Sequence, residues 1–145
     1  MRNKKVLVVG ATGLVGNAVL KEFSTNEPHS EIVAISRRKP EETFGAEFIS
    51  VDLRDRNSCQ SNLENLTGLT HIVYAALYEK EDLTSGWVDE EQIRINRLMI
   101  DNLFQSIMSK NAGSIKHVTL LQGTKAYGGH VRRFSIPAKE GKDDA

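Results

Sequence analysis

Three glycines at a spacing of three, Gly10, Gly13 and Gly16 in GATGLVG, follow the apolar run VLVV and open a segment of helical spacing. A strand that passes through glycines into a helix brings bare main chain against something that side chains would exclude. In such a turn the first glycine permits the bend, the second lets backbone approach a pyrophosphate, and the third lets helix and strand pack closely. The helix start adds unpaired N–H groups and a partial positive charge, which attract an anion. The chemistry supported is the gripping of a dinucleotide diphosphate by Gly10, Thr12, Gly13, Leu14, Val15 and Gly16.

A second set of groups stands at the end of the second apolar run, where an acidic residue would hold the 2′-OH of an NAD ribose. This chain has Ser36, Arg37 and Arg38 there instead. A carboxylate repels a 2′-phosphate and guanidinium groups pair with it, so NADP(H) is favoured over NAD(H). An exposed basic loop is the plainer alternative for the two arginines. Asp52 and Leu53 close the third apolar run, AEFISVDL, where a carboxylate accepts a hydrogen bond from the adenine amino group. The same Asp52 is equally suited to capping the helix that follows.

These groups need a scaffold, and the chain alternates between apolar runs and helical patterns. Strands are expected at 6–9, 31–36, 46–53, 70–77 and 114–123. Between them lie a helix over 13–24 with Leu14, Val15, Ala18, Val19 and Phe23 at helical spacing, a short helix over 57–66, and a long one from 88 to 108. The long helix carries Ile95, Leu98, Met99, Asn102, Leu103 and Ile107 on one stripe. Strands alternating with helices give an α/β fold, a doubly wound, mainly parallel Rossmann-type sheet of five strands in the order 3-2-1-4-5. Residues 1–123 form the expected dinucleotide-binding domain, and 124–145 an irregular C-terminal segment. A sheet ending at its fifth strand leaves an edge unpaired, and association through it as a homodimer is expected.

The composition narrows the function classes. At 145 residues the chain is one domain. Nineteen basic and nineteen acidic residues cancel, so no global field draws it to nucleic acid or an anionic membrane. No apolar run approaches the roughly 18 residues of a membrane-spanning helix. The single Cys59 forms no internal disulfide and no Cys/His cluster has zinc spacing, which points to a reducing, cytoplasmic setting. His29, His71, His117 and His130 are scattered, the carboxylates between Glu79 and Glu91 suit a helix start, and Trp87 suits a loop aromatic pinning the long helix.

Together GATGLVG at 10–16, SRR at 36–38, VDL at 51–53 and YAAL at 74–77 resemble the extended short-chain dehydrogenase/reductase superfamily. NRLMIDNL at 96–103 is similar to its long-helix pattern, with Met99 and Ile100 replacing the usual Gly-Thr. LLQGTKAYGG at 120–129 resembles the progesterone 5β-reductase and iridoid synthase-like group. The resemblance implies that Ala75, Ala76 and Leu77 line the ribose, that Lys125 binds the nicotinamide ribose and lowers the pKa of a catalytic tyrosine, and that Asn96 supports an active-site water network. A core-edge asparagine is an equal reading of Asn96.

The superfamily's Tyr-x-x-x-Lys is absent: Tyr74, Tyr78 and Tyr127 have Tyr, Asp and Val four residues on. In the resembled group the tyrosine lies well beyond the lysine. The chain is therefore expected to be the NADP(H)-binding portion of a longer reductase that transfers a hydride from NADPH to a small carbonyl or enone substrate. The rival readings are a non-catalytic NADP(H) sensor and an NAD-dependent nucleotide-sugar epimerase or dehydratase.

Overall fold

Val6, Leu7, Val8 and Val9 are all fully buried, which requires a packed layer on each face of their strand. The computed structural model describes residues 4–80 and 89–123 together with 133, 136, 137 and 139. In chain order the elements are β1 (Lys5–Val9), α1 (Leu14–Asn26), β2 (Glu31–Ser36), β3 (Glu47–Ser50), α2 (Arg56–Leu63), β4 (His71–Tyr74), α3 (Glu90–Asn111) and β5 (His117–Leu120). The five strands form one parallel sheet in the order β3-β2-β1-β4-β5, as the alternation in the sequence predicts. Val8 of β1 lies opposite Ala34 of β2 and Val73 of β4, so the first strand is central.

Alternate side chains of the strands feed two cores. On one face Leu7, Val9, Ile35 and Ile72 pack with Cys59 and Leu63 of α2 and with Met99, Leu103 and Ile107 of α3. On the other, Val6, Val8, Ala34 and Val73 pack with Leu20 of α1. Burying each large aliphatic side chain contributes roughly 1.5–3 kcal/mol.

The boundaries differ from the sequence expectation where the strands meet the carboxyl edge of the sheet. β3 ends at Ser50 and β4 at Tyr74, because beyond single further rungs, Val51 N to Ser36 O and Ala75 N to Val9 O, the chains diverge. α1 is rotated from its expected face. Gly16 and Leu20 are buried, with Val19 and Phe23 packed beside them, whereas Ala18 is exposed and Leu14 is 90% exposed. The reason is that Gly16, not an aliphatic side chain, must face the end of β1. On α3, Leu98 lies outside the buried stripe, which keeps the expected Asn102 and adds Gln92, Ser106 and Asn111.

Those buried polar side chains tie loops to the helix. Asn111 accepts from Leu69 N at 2.9 Å and donates to Leu66 O at 2.7 Å and to Ile107 O at 2.8 Å. Asn102 donates to Leu53 O at 2.9 Å. β5, by contrast, pairs only with β4 among the described residues, and Val118, Leu120 and Leu121 remain exposed. No described helix is long and apolar enough to cross a membrane.

Tyr74 is the one buried side chain whose polar atom finds no hydrogen-bond partner among the described residues. Removing that hydroxyl removes a desolvation penalty, whereas truncating Asn111 leaves buried main-chain groups unpaired. Tyr74→Phe is expected to leave stability unchanged or raise it, and Asn111→Ala to cost about 3 kcal/mol, in urea unfolding with unchanged m value.

Burial pushes the Cys59 thiol up to about 11, with the Asp55 and Asp52 carboxylates adding to it, and pushes the Tyr74 hydroxyl up to about 12. The ordinary values are 9.0 and 10.0. In alkaline solution the unfolded chain therefore releases protons that the folded chain retains, and ionisation favours unfolding. The urea midpoint is expected to fall as pH rises from about 9 to 11, and Tyr74→Phe to lose the upper part of that dependence.

Candidate functional site

The carboxyl ends of β1, β2, β3 and β4 open onto a crevice of about 280 Å³. It is lined by Gly10, Thr12 and Gly13 from the first turn, Arg37 and Arg38 after β2, Asp52, Leu53 and Arg54 after β3, and Ala75, Ala76 and Leu77 after β4. This is where ligands of open parallel sheets sit, at the point where strand order reverses on either side of β1. A shallower groove of about 590 Å³ adjoins it, lined by Thr12, Gly13, Leu14, Arg38 and Lys39 among others. Val15 lines neither space, and Gly16 lies beneath the turn.

The glycines divide their work differently from a simple bend. Gly10 has φ +88°, and a Cβ there would lie 2.7 Å from Ala76 N and 2.8 Å from the carbonyl carbon of Ala75. Its requirement is thus both conformational and steric, because the main chain leaving β4 crosses directly over it. A Cβ on Gly16 would fall 2.8 Å from the carbonyl carbon of Gly10, so α1 rests on the turn itself. Gly10 N and Ala11 N both donate to Ile35 O, at 2.9 and 3.2 Å, which fastens the turn to β2.

Gly13 is the N-cap of α1 and no side chain caps the helix. The other two described helices are capped by aspartates: Asp55 accepts from Asn57 N and Ser58 N, and Asp89 accepts from Gln92 N. The first-turn amides of α1 are therefore left for an external acceptor at the one helix start that borders the crevice. Asp52 is not a helix cap, since Asp55 fills that place.

Charge is arranged asymmetrically around the crevice. Ser36 Oγ donates to Arg38 O at 2.6 Å and Ser50 Oγ to Arg37 O at 3.1 Å, which fixes the main chain after β2. The Arg37 and Arg38 guanidinium groups make no hydrogen bond or ion pair among the described residues. Arg54 is committed instead: its Nη2 lies 2.8 Å from Asp52 Oδ2 and its Nε 3.1 Å from Oδ1. The Arg54 hydrogen bond is the largest cause holding the Asp52 carboxyl below its usual range. Nothing in the charge or spacing of the sequence singles out Arg54, although an arginine two residues after an aspartate in a tight turn can fold back on it.

The loop after β4 is clamped by α3. Asn96 accepts from Tyr78 N at 2.9 Å and donates to Tyr78 O at 2.8 Å and Gln92 O at 3.0 Å. Gln92 Oε1 accepts from Lys80 N at 2.9 Å, and Lys80 Nζ lies 2.7 Å from both Asp89 and Glu91. Asn96 thus spends its amide on the main chain of the segment that lines the crevice. Lys125, Tyr127, Trp87 and His130 lie outside the described residues. Among the described residues no group of three or more His, Cys, Asp or Glu side chains could hold a metal ion.

The fit to a dinucleotide rests on three features found together: a helix start without a cap of its own, a turn in which side chains are excluded, and two uncommitted guanidinium groups on the same wall. The turn is testable by itself. Gly10→Ala places a methyl group against the Ala75–Ala76 peptide at an unfavourable φ, and is expected to lower stability by several kcal/mol in chemical denaturation, at about 3 kcal/mol or more. Gly13→Ala, whose Cβ would meet only Gly10 O at 3.3 Å, is expected to cost far less.

Comparison with known proteins agrees with this geometry. The profile of the NAD dependent epimerase/dehydratase family matches residues 6–143. The chain is 29% identical over 138 residues to 3-oxo-Delta(4,5)-steroid 5-beta-reductase of Arabidopsis thaliana, covering 90% of this chain and 34% of that protein. It is 31% identical over 134 residues to (S)-8-oxocitronellyl enol synthase of Catharanthus roseus, covering 85% of this chain and 30% of that protein. The chain thus spans about a third of the length of the curated relatives it matches. In fold it is similar to ADP-L-glycero-D-manno-heptose-6-epimerase of Helicobacter pylori, with a TM-score of 0.74 and 20% identity over 99% of this chain and 45% of that one. With a family profile matching nearly its whole length, the chain belongs to the NAD dependent epimerase/dehydratase family.

Proposed function

We propose that this chain binds NADP(H), and that the protein acts as a reductase moving a hydride from NADPH to a small carbonyl or enone. The observation that carries the cofactor choice is the pair Arg37 and Arg38, uncommitted and on the crevice wall where an NAD-selective site would place a carboxylate. Among the described residues Asp52 is the only carboxylate after β3 on that wall, and it is ion-paired with Arg54. The 2′-phosphate therefore meets net positive charge.

In this reading Gly10, Thr12 and Gly13 with the first-turn amides at Leu14 and Val15 hold the pyrophosphate. Arg37 and Arg38 hold the 2′-phosphate, and Asp52 with Leu53 the adenine. Ala75, Ala76 and Leu77 line the ribose, kept in place by the grip of Asn96 on Tyr78. Lys125 would orient the nicotinamide end and favour the phenolate of a tyrosine. The bound nicotinamide supplies the hydride, while the residues named here bind, orient and exclude water. The relatives act on small molecules by their names, a steroid and an oxocitronellyl compound. The proposed substrate class is a carbonyl or enone on that footing.

Titration calorimetry checks the cofactor assignment. NADPH is expected to bind at least about tenfold more tightly than NADH, and Arg37→Ala or Arg38→Ala to lose most of that ratio with little change for NADH. Equal affinity of the unaltered chain for the two cofactors would falsify the role given to the arginines.

A further inference from the structure

We propose that Arg54 is a positioning residue for the nucleobase: by gripping both oxygens of Asp52 it fixes that carboxylate as a single acceptor selecting a 6-aminopurine over a 6-oxopurine. The inference rests on the dinucleotide reading above and adds to it the group that sets base choice.

The hydrogen-bond accounting of Asp52 leads there. A carboxylate offers about four acceptor positions, two on each oxygen. Oδ1 accepts from Arg54 N at 3.0 Å and from Arg54 Nε at 3.1 Å, and Oδ2 accepts from Nη2 at 2.8 Å. One position remains, on Oδ2, and Asp52 lines the crevice. The main chain of Asp52 is equally constrained. Its N donates to Ser58 Oγ at 3.2 Å, and its O accepts from Asp55 N at 3.0 Å and from Cys59 Sγ at 3.6 Å. Leu53 O is held by the buried Asn102. The remaining acceptor therefore projects from a backbone and a side chain that are both fixed.

The Arg54 hydrogen bonds lower the Asp52 pKa, so at neutral pH the group accepts and does not donate. Adenine presents an N6–H donor to such a group, and hypoxanthine presents an O6 acceptor. A site built around one fixed acceptor leaves the oxo purine with two acceptors face to face, which is how a site built to hydrogen-bond one ligand rejects another, here at a half-buried carboxylate. Without Arg54, the carboxylate rotates and hydrates, and the penalty for the oxo purine is relieved by water.

The experiment compares, by calorimetry on the 145-residue chain, NADP with its deaminated analogue nicotinamide hypoxanthine dinucleotide phosphate. The unaltered chain is expected to prefer NADP by roughly tenfold or more. Arg54→Ala, and Arg54→Gln as a second variant able to reach only one oxygen, should bring the two ligands within about threefold while NADP stays preferred over NAD through Arg37 and Arg38, the ratio falling only by the share that the unpaired Asp52 carboxylate offsets. The Arg54 side chain is 42% exposed, so folding is expected to survive, and thermal melting checks it. An unchanged base preference in both folded variants overturns the positioning role, even with NADP still bound. Loss of the NADP to NAD ratio in both would make Arg54 a phosphate ligand and overturn it too. If the unaltered chain binds neither dinucleotide, the cofactor reading itself fails, and this inference with it.

Discussion

The architecture depends on one main-chain crossing. Gly10 sits under the Ala75–Ala76 peptide and above Gly16, so the end of β1, the exit of β4 and the first turn of α1 meet with no side chain between them. Because Gly10 N and Ala11 N also bond to Ile35 O, β2 joins the same point. Four elements are thereby fixed relative to one another by backbone alone, which tolerates far less displacement than a contact between flexible side chains. The crevice is what remains open beside that crossing.

The second support is α3, whose buried and half-buried asparagines reach three separate loops. Asn96 holds the segment after β4, Asn102 the segment after β3, and Asn111 the approach to β4. A helix that contributed only aliphatic side chains would bury more apolar area. It would leave these loop carbonyls and amides to water that the core excludes. The polar stripe exchanges some hydrophobic burial for loops held in register at the carboxyl edge of the sheet, which is where a ligand's orientation is decided.

Charge around the crevice follows the same division between committed and uncommitted groups. Arg54 and Asp52 pair on the β3 side, while the Arg37 and Arg38 guanidinium groups after β2 make no hydrogen bond or ion pair among the described residues, and Arg37 acts on Asp52 only through its field. The result is a site of mixed apolar and polar lining that is positive on the β2 side. Such a local field suits a phosphate ester on that side of the crevice, even in a chain whose formal charges sum to zero.

The sequence by itself determined the element order, the parallel topology, the glycine turn and the basic pair. Each of these is local: alternation of apolar runs with helical spacing, glycines where β1 hands over to α1, and Arg37–Arg38 after a strand. Tertiary structure alone decided which face of α1 is buried, because the rotation is set by Gly16 packing on a turn rather than by aliphatic spacing. It also decided that Asn96, Asn102 and Asn111 serve loops far away in sequence, 18 to 49 residues distant. The Asp52–Arg54 fork was hidden for a related reason. Two residues apart on the chain, their pairing needs the tight turn between β3 and α2, and that turn is held by Ser58, Asp55 and Cys59. Periodicity reports how a segment partitions between water and core, but the direction of a single hydrogen bond depends on where the partner's backbone has been carried by the rest of the fold.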